Sequence, residues 1–365
     1  MMIDFALLWI FLNAFHSKTM VREMKLAASQ QSPFSYSVET DSTTGWKLMV
    51  LKYQDAGDSR RNLEARIAPD AGSNLYSLKV GGTELLVQPP GLSLLPGSRY
   101  GFPILYPTPN RVRDSRFTFD GVTYSFPPNN GKNFIHGLAH NLKWQAGTPS
   151  ADAEGVNVTT SVDWNPDLPA YKLFPFVHRV SMNYTLDREG VRMEFSVHNR
   201  DQKRLPFGFA FHPWFQILGS RAETYFQVPA QKHMETVELL PTGKLEDLDG
   251  KPYDLRKPVS LEGLKVDDVF WGMSPDKPPS FEFRDKGIKV TLAASKEFTH
   301  MVVYTPPGRP VFCMENQTCS TDAHNLFAKG FKKEAHLLIA EKGKTVSGWV
   351  RVKVEVTRSA PSRDR

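Results

Sequence analysis

The sequence lacks the cysteines that a disulfide framework or a structural zinc site would need. Its 365 residues include only two, Cys313 and Cys319. Two cysteines alone supply neither the four ligands of a thiolate zinc site nor several bridges. We therefore expect two buried free thiols, with a single Cys313–Cys319 bond as the alternative.

A large charge excess of either sign is also missing. The formal net charge is +6, and much of it comes from the two ends of the chain. No stretch combines clustered basic residues with interleaved aromatics, the pattern typical of nucleic-acid-binding surfaces. The charge pattern therefore argues against nucleic acid as a partner and indicates a mildly basic, solvated surface.

Long hydrophobic runs are absent as well. The apolar stretch at 5–15 is shorter than the roughly 20 residues that a membrane-spanning helix needs. Asp4 precedes it and Lys18 follows it, the reverse of the charge order of a secretory signal. Three interpretations remain: an atypical signal, a short anchor, or a start upstream of a true Met20 or Met24. The last is favoured and predicts a cytoplasmic protein, whereas a functional signal would give an exported form.

Long amphipathic helical patterns are missing, and short strand-like runs take their place. Apolar and polar residues alternate over 156–163, 178–184, 191–198 and 346–356. Residues 117–124 form two β-rich runs around an Asp-Gly turn, which is typical of a hairpin. Strands at roughly ten-residue spacing with turns between them predict an all-β protein, either a sandwich or a barrel.

The composition changes near residue 36 and not sharply again. Residues 1–35 combine the apolar stretch with a polar linker and are interpreted as a leader or disordered segment. Residues 36–357 are predicted to form one β-domain, and 358–365 a basic tail. The chain is therefore expected to carry a single folded domain.

Glu315 is the most informative single residue. It follows the apolar run 311–314, which is typical of a buried strand. A carboxylate at the mouth of an apolar site is poorly solvated, so its pKa rises and it becomes a usable general base near neutral pH. The alternative is a structural carboxylate paired with a nearby arginine such as Arg309.

Two histidines lie far upstream in equally distinctive settings. His136 is followed by Gly137, and His212 lies in the aromatic run 209–214. Together with Glu315 they would make a proton-transfer site that needs neither a metal nor a covalent nucleophile. The alternatives are a packed core histidine at 212 and a turn-stabilising histidine at 136.

Several motifs in a fixed order point to a known family. They lie at 101–107, 110–114, 117–121, 135–138, 208–215, 266–270 and 304–325. In this order, from about residue 45 to 355, the chain resembles the aldose 1-epimerase (galactose mutarotase) family. Several ordered motifs are far more specific than any one alone.

The resemblance implies a fold and a set of site residues. The fold is a large antiparallel β-sandwich, the galactose mutarotase-like supersandwich, with the sugar in a concave face. The implied general base is Glu315, the general acid is His212, and His136 is the second histidine. The implied sugar-binding residues are Arg111 and Asp267, with Asp268 as the less favoured choice for the aspartate.

The implied activity is interconversion of the α and β anomers of an aldohexose by acid–base ring opening and closure. It needs no cofactor, and the partner is a small sugar bound by a monomer or a homodimer. Trp214 is expected to form an apolar platform for the sugar. The flanks of His212 and Glu315 differ from those of the best-known mutarotases, so galactose in particular is not implied.

Two alternative functions remain open at this point. A hexose-6-phosphate 1-epimerase would need extra basic residues at the pocket, and Arg113 and Arg116 lie close to Arg111. If these lie on one strand, Arg111 and Arg113 share a face. A non-catalytic carbohydrate-binding sandwich is the other alternative. With one sugar-binding aspartate in the site, a neutral aldohexose is expected to react faster than its 6-phosphate.

Overall fold

The computed structural model describes residues 32–357, and this part of the chain is built mainly from strands. Its strands are β1 (Phe34–Thr40), β2 (Lys47–Tyr53), β3 (Leu63–Ala68), β4 (Asn74–Val80), β5 (Thr83–Glu84), β6 (Ile104–Leu105), β7 (Arg111–Val112), β8 (Arg116–Phe119), β9 (Val122–Ser125), β10 (Phe134–Ile135), β11 (Gln145–Ala146), β12 (Ser150–Ala151), β13 (Val156–Trp164), β14 (His178–Leu186), β15 (Gly190–Asn199), β16 (Leu205–Phe207), β17 (Ala210–Phe211), β18 (Phe215–Gln216), β19 (Thr224–Gln227), β20 (Lys232–Val237), β21 (Leu240–Glu246), β22 (Val259–Ser260), β23 (Asp267–Trp271), β24 (Ser280–Phe283), β25 (Ile288–Ala294), β26 (His300–Tyr304), β27 (Val311–Gln317), β28 (Leu338–Ala340) and β29 (Thr345–Val356). The two α-helices of these residues are α1 (Ala323–Ala328) and α2 (Lys332–Ala335).

Three antiparallel sheets dominate the architecture. A ten-stranded sheet has the order β11-β13-β14-β15-β29-β25-β24-β19-β22, with β12 also paired to β13. An eight-stranded sheet has the order β21-β20-β23-β26-β27-β17-β6, with β18 also paired to β27. A five-stranded sheet runs in chain order from β1 to β5. The predicted large antiparallel β-sandwich is confirmed.

Sequence alternation explains why the ten-stranded sheet covers one side of the core. Along β14, every second residue is buried and the intervening residues are partly exposed. Its neighbour β15 continues the same pattern. A strand with one face on the core and one face near water requires this period of two. The strands predicted over 156–163, 178–184 and 191–198 lie within β13, β14 and β15 and are confirmed.

Strand β27 differs, because all seven of its residues are buried. It lies inside the eight-stranded sheet, where β26 pairs along one edge and β17 and β18 pair along the other. A strand covered on both faces reads as a nearly continuous apolar run. Any polar residue in it, such as Glu315, must therefore find partners inside the protein.

The predictions for the two ends of the chain, 1–31 and 358–365, lie outside the described residues. From Phe34 onward the described residues belong to one compact unit. No helix in 32–357 is both long enough and apolar enough to cross a membrane. Cys313 and Cys319 are both free and buried, as expected.

Candidate active site

A pocket of about 530 Å³ opens over one face of the eight-stranded sheet. Cross-strand partners share a face of a sheet, and Glu315 on β27 is opposite Val302 on β26. Tyr304, two residues after Val302, is opposite Asp267 on β23. All four residues line the pocket. Its volume lies within the range of about 300–1,000 Å³ that is usual for small-molecule sites.

Glu315 and His212 lie side by side within this pocket. His212 follows the last residue of β17, and its Nδ1 lies 3.4 Å from Oε1 of Glu315. The other carboxyl oxygen of Glu315 accepts a hydrogen bond of 3.0 Å from the side chain of Gln317. Glu315 is 2% exposed and His212 is 5% exposed. An acid–base pair is thus held away from bulk water, next to a cavity.

His136 approaches the same pair from a separate two-stranded ribbon. Strands β7 and β10 pair Arg111 with Ile135, so His136 follows directly at the ribbon's end. Its backbone N–H donates to the carbonyl of Asn110 at 2.9 Å. The ring centroids of His136 and His212 are 4.9 Å apart. Neither imidazole Nδ1 atom has a hydrogen-bond partner among the described residues.

Arg111 is oriented by side-chain amides. Oδ1 of Asn110 accepts from Nη1 of Arg111 at 3.1 Å, and Oδ1 of Asn130 accepts from Nε at 3.1 Å. The nearby carboxylate of Asp114 pairs with Lys132 at 3.2 Å and not with Arg111. Because amides leave the guanidinium charge uncompensated, Arg111 is available to a polar ligand in the pocket.

Asp267 and Asp268 lie on opposite faces of strand β23, and only Asp267 lines the pocket. Asp267 lines the pocket, where Arg111 is its main favourable electrostatic partner. Adjacent residues of a strand point to opposite faces. Asp268 accordingly lies on the other face, and its Oδ1 is 2.8 Å from Nε2 of the buried His233. Of the two aspartates, Asp267 is the one positioned to contact a ligand.

Trp214 forms one wall of the pocket. Its ring stacks on that of His212, with centroids 5.2 Å apart and planes at 15°. Its indole N–H donates to the carbonyl of Ser98 at 2.6 Å. Tyr304 meets it edge-on at 6.0 Å. Trp214 is thus a fixed aromatic wall beside polar groups, and its role as a sugar platform stays a prediction.

Burial sets the protonation of the paired groups. It raises the pKa of the Glu315 carboxyl to about 8, as the sequence had suggested. It also lowers the pKa of His212 to about 3, and that of His136 well below its usual range. The predicted roles, Glu315 as general base and His212 as general acid, correspond to a carboxylate and a histidinium. In the free site at neutral pH the proton instead lies mainly on Glu315, and both imidazoles are neutral.

The described residues also contain one group with the spacing of a metal site. Ligating atoms of His212, Cys313 and Glu315 lie within 4.8 Å of one another. Burial raises the pKa of the Cys313 thiol well above its usual range, and Glu315 also holds its proton. A metal ion would have to displace both protons, since thiolates and carboxylates are the ligating forms. These residues therefore suit acid–base chemistry better than resident metal binding.

Arg113 and Arg116, the additional arginines considered from the sequence, do not line the pocket. Strand β7 ends at Val112, so Arg111 and Arg113 do not continue along one strand. The Arg113 side chain lies 3.4 Å from Asp322 rather than in the pocket. Arg99 and Arg309 line the pocket instead. Arg309 lies in the run that carries Glu315, and Arg99 just before the motif at 101–107, so proximity to motifs was the available signal.

Other lining residues were also missed: Ser98, Tyr100, Asn110, Asn130, Ile135, Val302 and Tyr304. Most are short polar or aromatic residues in loops. Their contribution depends on which loops fold over the sheet, and no local pattern indicates that.

Known proteins share this architecture. A galactose mutarotase-like protein from Clostridium acetobutylicum superposes with a TM-score of 0.78 at 23% identity, covering 89% of this chain and 99% of that one. A galactose 1-epimerase from Lactobacillus acidophilus NCFM gives 0.70 at 15% identity, covering 90% and 100%. At such identities the likeness establishes the fold alone.

Sequence comparison finds relatives as well. The Escherichia coli (strain K12) protein named Uncharacterized protein YihR is 24% identical over 75% of this chain and 84% of its own length. The Sus scrofa galactose mutarotase is 27% identical over 42% of this chain and 44% of its own length. Residues 58–353 match the sequence profile described as Aldose 1-epimerase. The chain therefore belongs to the aldose 1-epimerase family.

Proposed function

We propose that this protein interconverts the α and β anomers of an aldohexose by general acid–base catalysis. The observation that carries the proposal is the buried contact of His212 with Glu315, 3.4 Å apart at a pocket of about 530 Å³. Two proton-transfer groups beside one cavity are what ring opening of an aldose requires. A binding protein without turnover would not need both.

The reaction moves one proton at each end of the hemiacetal. Glu315, as the carboxylate, takes the proton of the anomeric hydroxyl, and that O–H electron pair forms the carbonyl. The bond from the anomeric carbon to the ring oxygen breaks, and the ring oxygen takes a proton from His212. The bond beside the aldehyde then rotates, and the same steps in reverse close the ring on its other face. Protons and electrons balance without an oxidant or a cofactor.

The resting Glu315–His212 pair holds the one proton that this mechanism requires. Protonated Glu315 with neutral His212 holds one proton, and so does carboxylate Glu315 with histidinium His212. The reactive form is therefore a proton tautomer of the resting form, and groups this close titrate as a pair. Sugar hydroxyls that bind between them can assist the proton's transfer.

His136 and Arg111 are assigned to the open-chain intermediate. Donors aimed at oxygen atoms where charge develops lower the barrier when they are fixed in advance. Arg111 is fixed by Asn110 and Asn130. The unpaired Nδ1 of His136 and the rim carboxylate of Asp267 complete the hydrogen-bonding groups around the sugar.

The test is polarimetric mutarotation of freshly dissolved α-glucose, α-galactose and a hexose 6-phosphate. The purified protein should speed equilibration above the spontaneous rate, and Glu315→Gln should not. Tight sugar binding with no acceleration would instead support the non-catalytic carbohydrate-binding alternative.

A further inference from the structure

The pocket contains more positive charge than its own carboxylates match. Three arginines line it, Arg99, Arg111 and Arg309, against the carboxyl groups of Asp267 and Glu315. Arg111 is the arginine whose charge acts on Asp267. Among the described residues, neither Arg99 nor Arg309 forms an ion pair with a carboxylate within 4 Å. Because burial keeps Glu315 largely protonated near pH 7, it offsets little of their charge.

One of the two unpaired arginines, Arg309, lies against the ring of Trp214. The guanidinium carbon of Arg309 lies 5.4 Å from the centre of the Trp214 ring. The indole N–H donates to the carbonyl of Ser98 at 2.6 Å, which fixes the backbone immediately before Arg99. A stacked arginine is partly ordered before any ligand arrives, which reduces the entropy lost on binding.

Trp214 also lies beside the proposed catalytic pair. Its other neighbour is His212, whose ring stacks on it at 5.2 Å. A sugar with its anomeric carbon at His212 and Glu315 would share the pocket with Arg99 and Arg309, which line the same cavity. Arginine binds tetrahedral oxyanions through two parallel N–H donors and is preferred wherever such groups are recognised.

We infer that the pocket selects an aldose carrying a tetrahedral oxyanion, a phosphate or a sulfate, at the end away from the anomeric carbon, and that Arg99 and Arg309 hold this group. The inference rests on the proposed function. It replaces the expectation that a neutral sugar reacts faster, which rested on Asp267 as the sugar-binding aspartate. Asp267, the acidic group of that argument, has Arg111 as its favourable electrostatic partner.

The experiment compares kcat/KM for glucose, glucose 6-phosphate and glucose 6-sulfate, measured by NMR exchange between anomers. The wild-type protein should prefer at least one charged sugar over glucose by about tenfold or more. If phosphate is the natural group, glucose 6-phosphate, a dianion, should have the higher kcat/KM of the two charged sugars. A higher kcat/KM for glucose 6-sulfate would show that the site recognises a monoanionic sulfate. The preference should weaken as salt rises, because exposed charges are screened.

The variants locate the effect. In the double variant Arg99→Gln/Arg309→Gln, the charged-to-neutral ratio of kcat/KM should fall about tenfold, a loss of roughly 1.4 kcal/mol in discrimination. Arg116→Gln is the matched control, because Arg116 is an exposed arginine outside the pocket. It should leave the ratio unchanged.

Two results would overturn the inference. One is turnover of glucose at least as efficient as that of both charged sugars. The other is a preference that survives in the double variant. Failure to accelerate mutarotation of any of the three sugars would reject the proposed function itself, and this inference with it. The two failures are therefore distinguishable in one set of measurements.

Discussion

At the scale of single residues, Glu315 links the stability of the protein to its chemistry. Its folded pKa of about 8 lies above the ordinary value of 4.5. Between about pH 4.5 and pH 8, the folded state therefore keeps a proton on Glu315 that the unfolded chain has already released. The stabilising contribution is complete below pH 4.5 and is lost as the pH rises through 8.

We accordingly predict that Glu315→Gln is inactive but more stable than the wild type at pH 8. Glutamine keeps the size and a hydrogen bond to Gln317 without a proton to lose. The gain in thermal midpoint should shrink to near zero at pH 4.5, where both proteins carry a neutral side chain. A variant that retains more than about a tenth of the wild-type rate would show that Glu315 is not the base.

The pH dependence of kcat/KM tests the same pair. The one-proton form is lost on the alkaline side when Glu315 deprotonates, near pH 8, and on the acid side when His212 gains a second proton, near pH 3. We predict a plateau between these limits and a fall above about pH 8, after subtraction of the spontaneous rate. If Glu315 were ionised and His212 protonated in the resting site, the profile would instead be a bell within pH 5 to 8, with the carboxylate on the acid limb and the histidine on the basic limb.

The two histidines are predicted to differ in effect. His212→Asn removes the proton donor at the ring oxygen and should lower kcat by roughly 10²-fold, with a smaller change in KM. His136→Asn should be milder, because asparagine can still donate a hydrogen bond to the sugar. Steady-state polarimetry on both variants decides the matter, and a larger loss for His136→Asn would exchange the two roles.

At the scale of elements, the ribbon of β7 and β10 places His136. The residue has a left-handed φ of 72°, and Gly137 follows with φ 68°. An added Cβ at Gly137 would overlap the carbonyl oxygen of Tyr106. The close approach of these two backbones requires glycine at this position.

We predict that Gly137→Ala lowers both kcat and stability, the latter by about 2 kcal/mol or more, because the ribbon end must move away from Tyr106. Gly131→Ala is the matched control, since Gly131 also has a left-handed φ of 61° but no atom within 4 Å of an added Cβ. It should cost only about 1 kcal/mol and leave kcat unchanged. Equal effects of the two changes on kcat would show that the position of the ribbon end at Gly137 does not matter for catalysis. Urea unfolding and polarimetry provide the two measurements.

At the scale of the whole molecule, Tyr106 ties the site to the ten-stranded sheet. Its carbonyl accepts from the N–H of Leu138 at 2.7 Å, just after the ribbon that carries His136. Its hydroxyl is 2.7 Å from Nε2 of His178, the first residue of β14. Tyr106 and His178 are both fully or almost fully buried. The contact joins two sheets through the core.

We predict that Tyr106→Phe lowers the free energy of unfolding by about 1–3 kcal/mol, because it leaves a buried imidazole nitrogen without a partner. Mutarotation should change little, since the backbone contacts to the ribbon remain. Tyr36→Phe removes a hydroxyl from a side chain that is 44% exposed and should be nearly neutral. Indistinguishable urea midpoints for the two variants would show that the Tyr106–His178 contact does not stabilise the fold.

The sequence by itself determined the strands and the fold class. Alternation at 178–184 and 191–198 requires one buried face, and local sterics and solvation decide this without distant contacts. Motif order also identified Glu315, His136 and His212 as site candidates. These properties depend on local sequence or on recurring motifs, so they can be predicted from the sequence alone.

Only the tertiary structure decided which charges meet in the pocket and which protonation states they hold. Arg113 was the expected neighbour of Arg111, but strand β7 ends at Val112, and Arg99 and Arg309 line the pocket from two separate loops. Burial reverses the usual order of the Glu315 and His212 pKa values. Solvation depends on everything packed around a group, and that packing joins residues far apart in sequence.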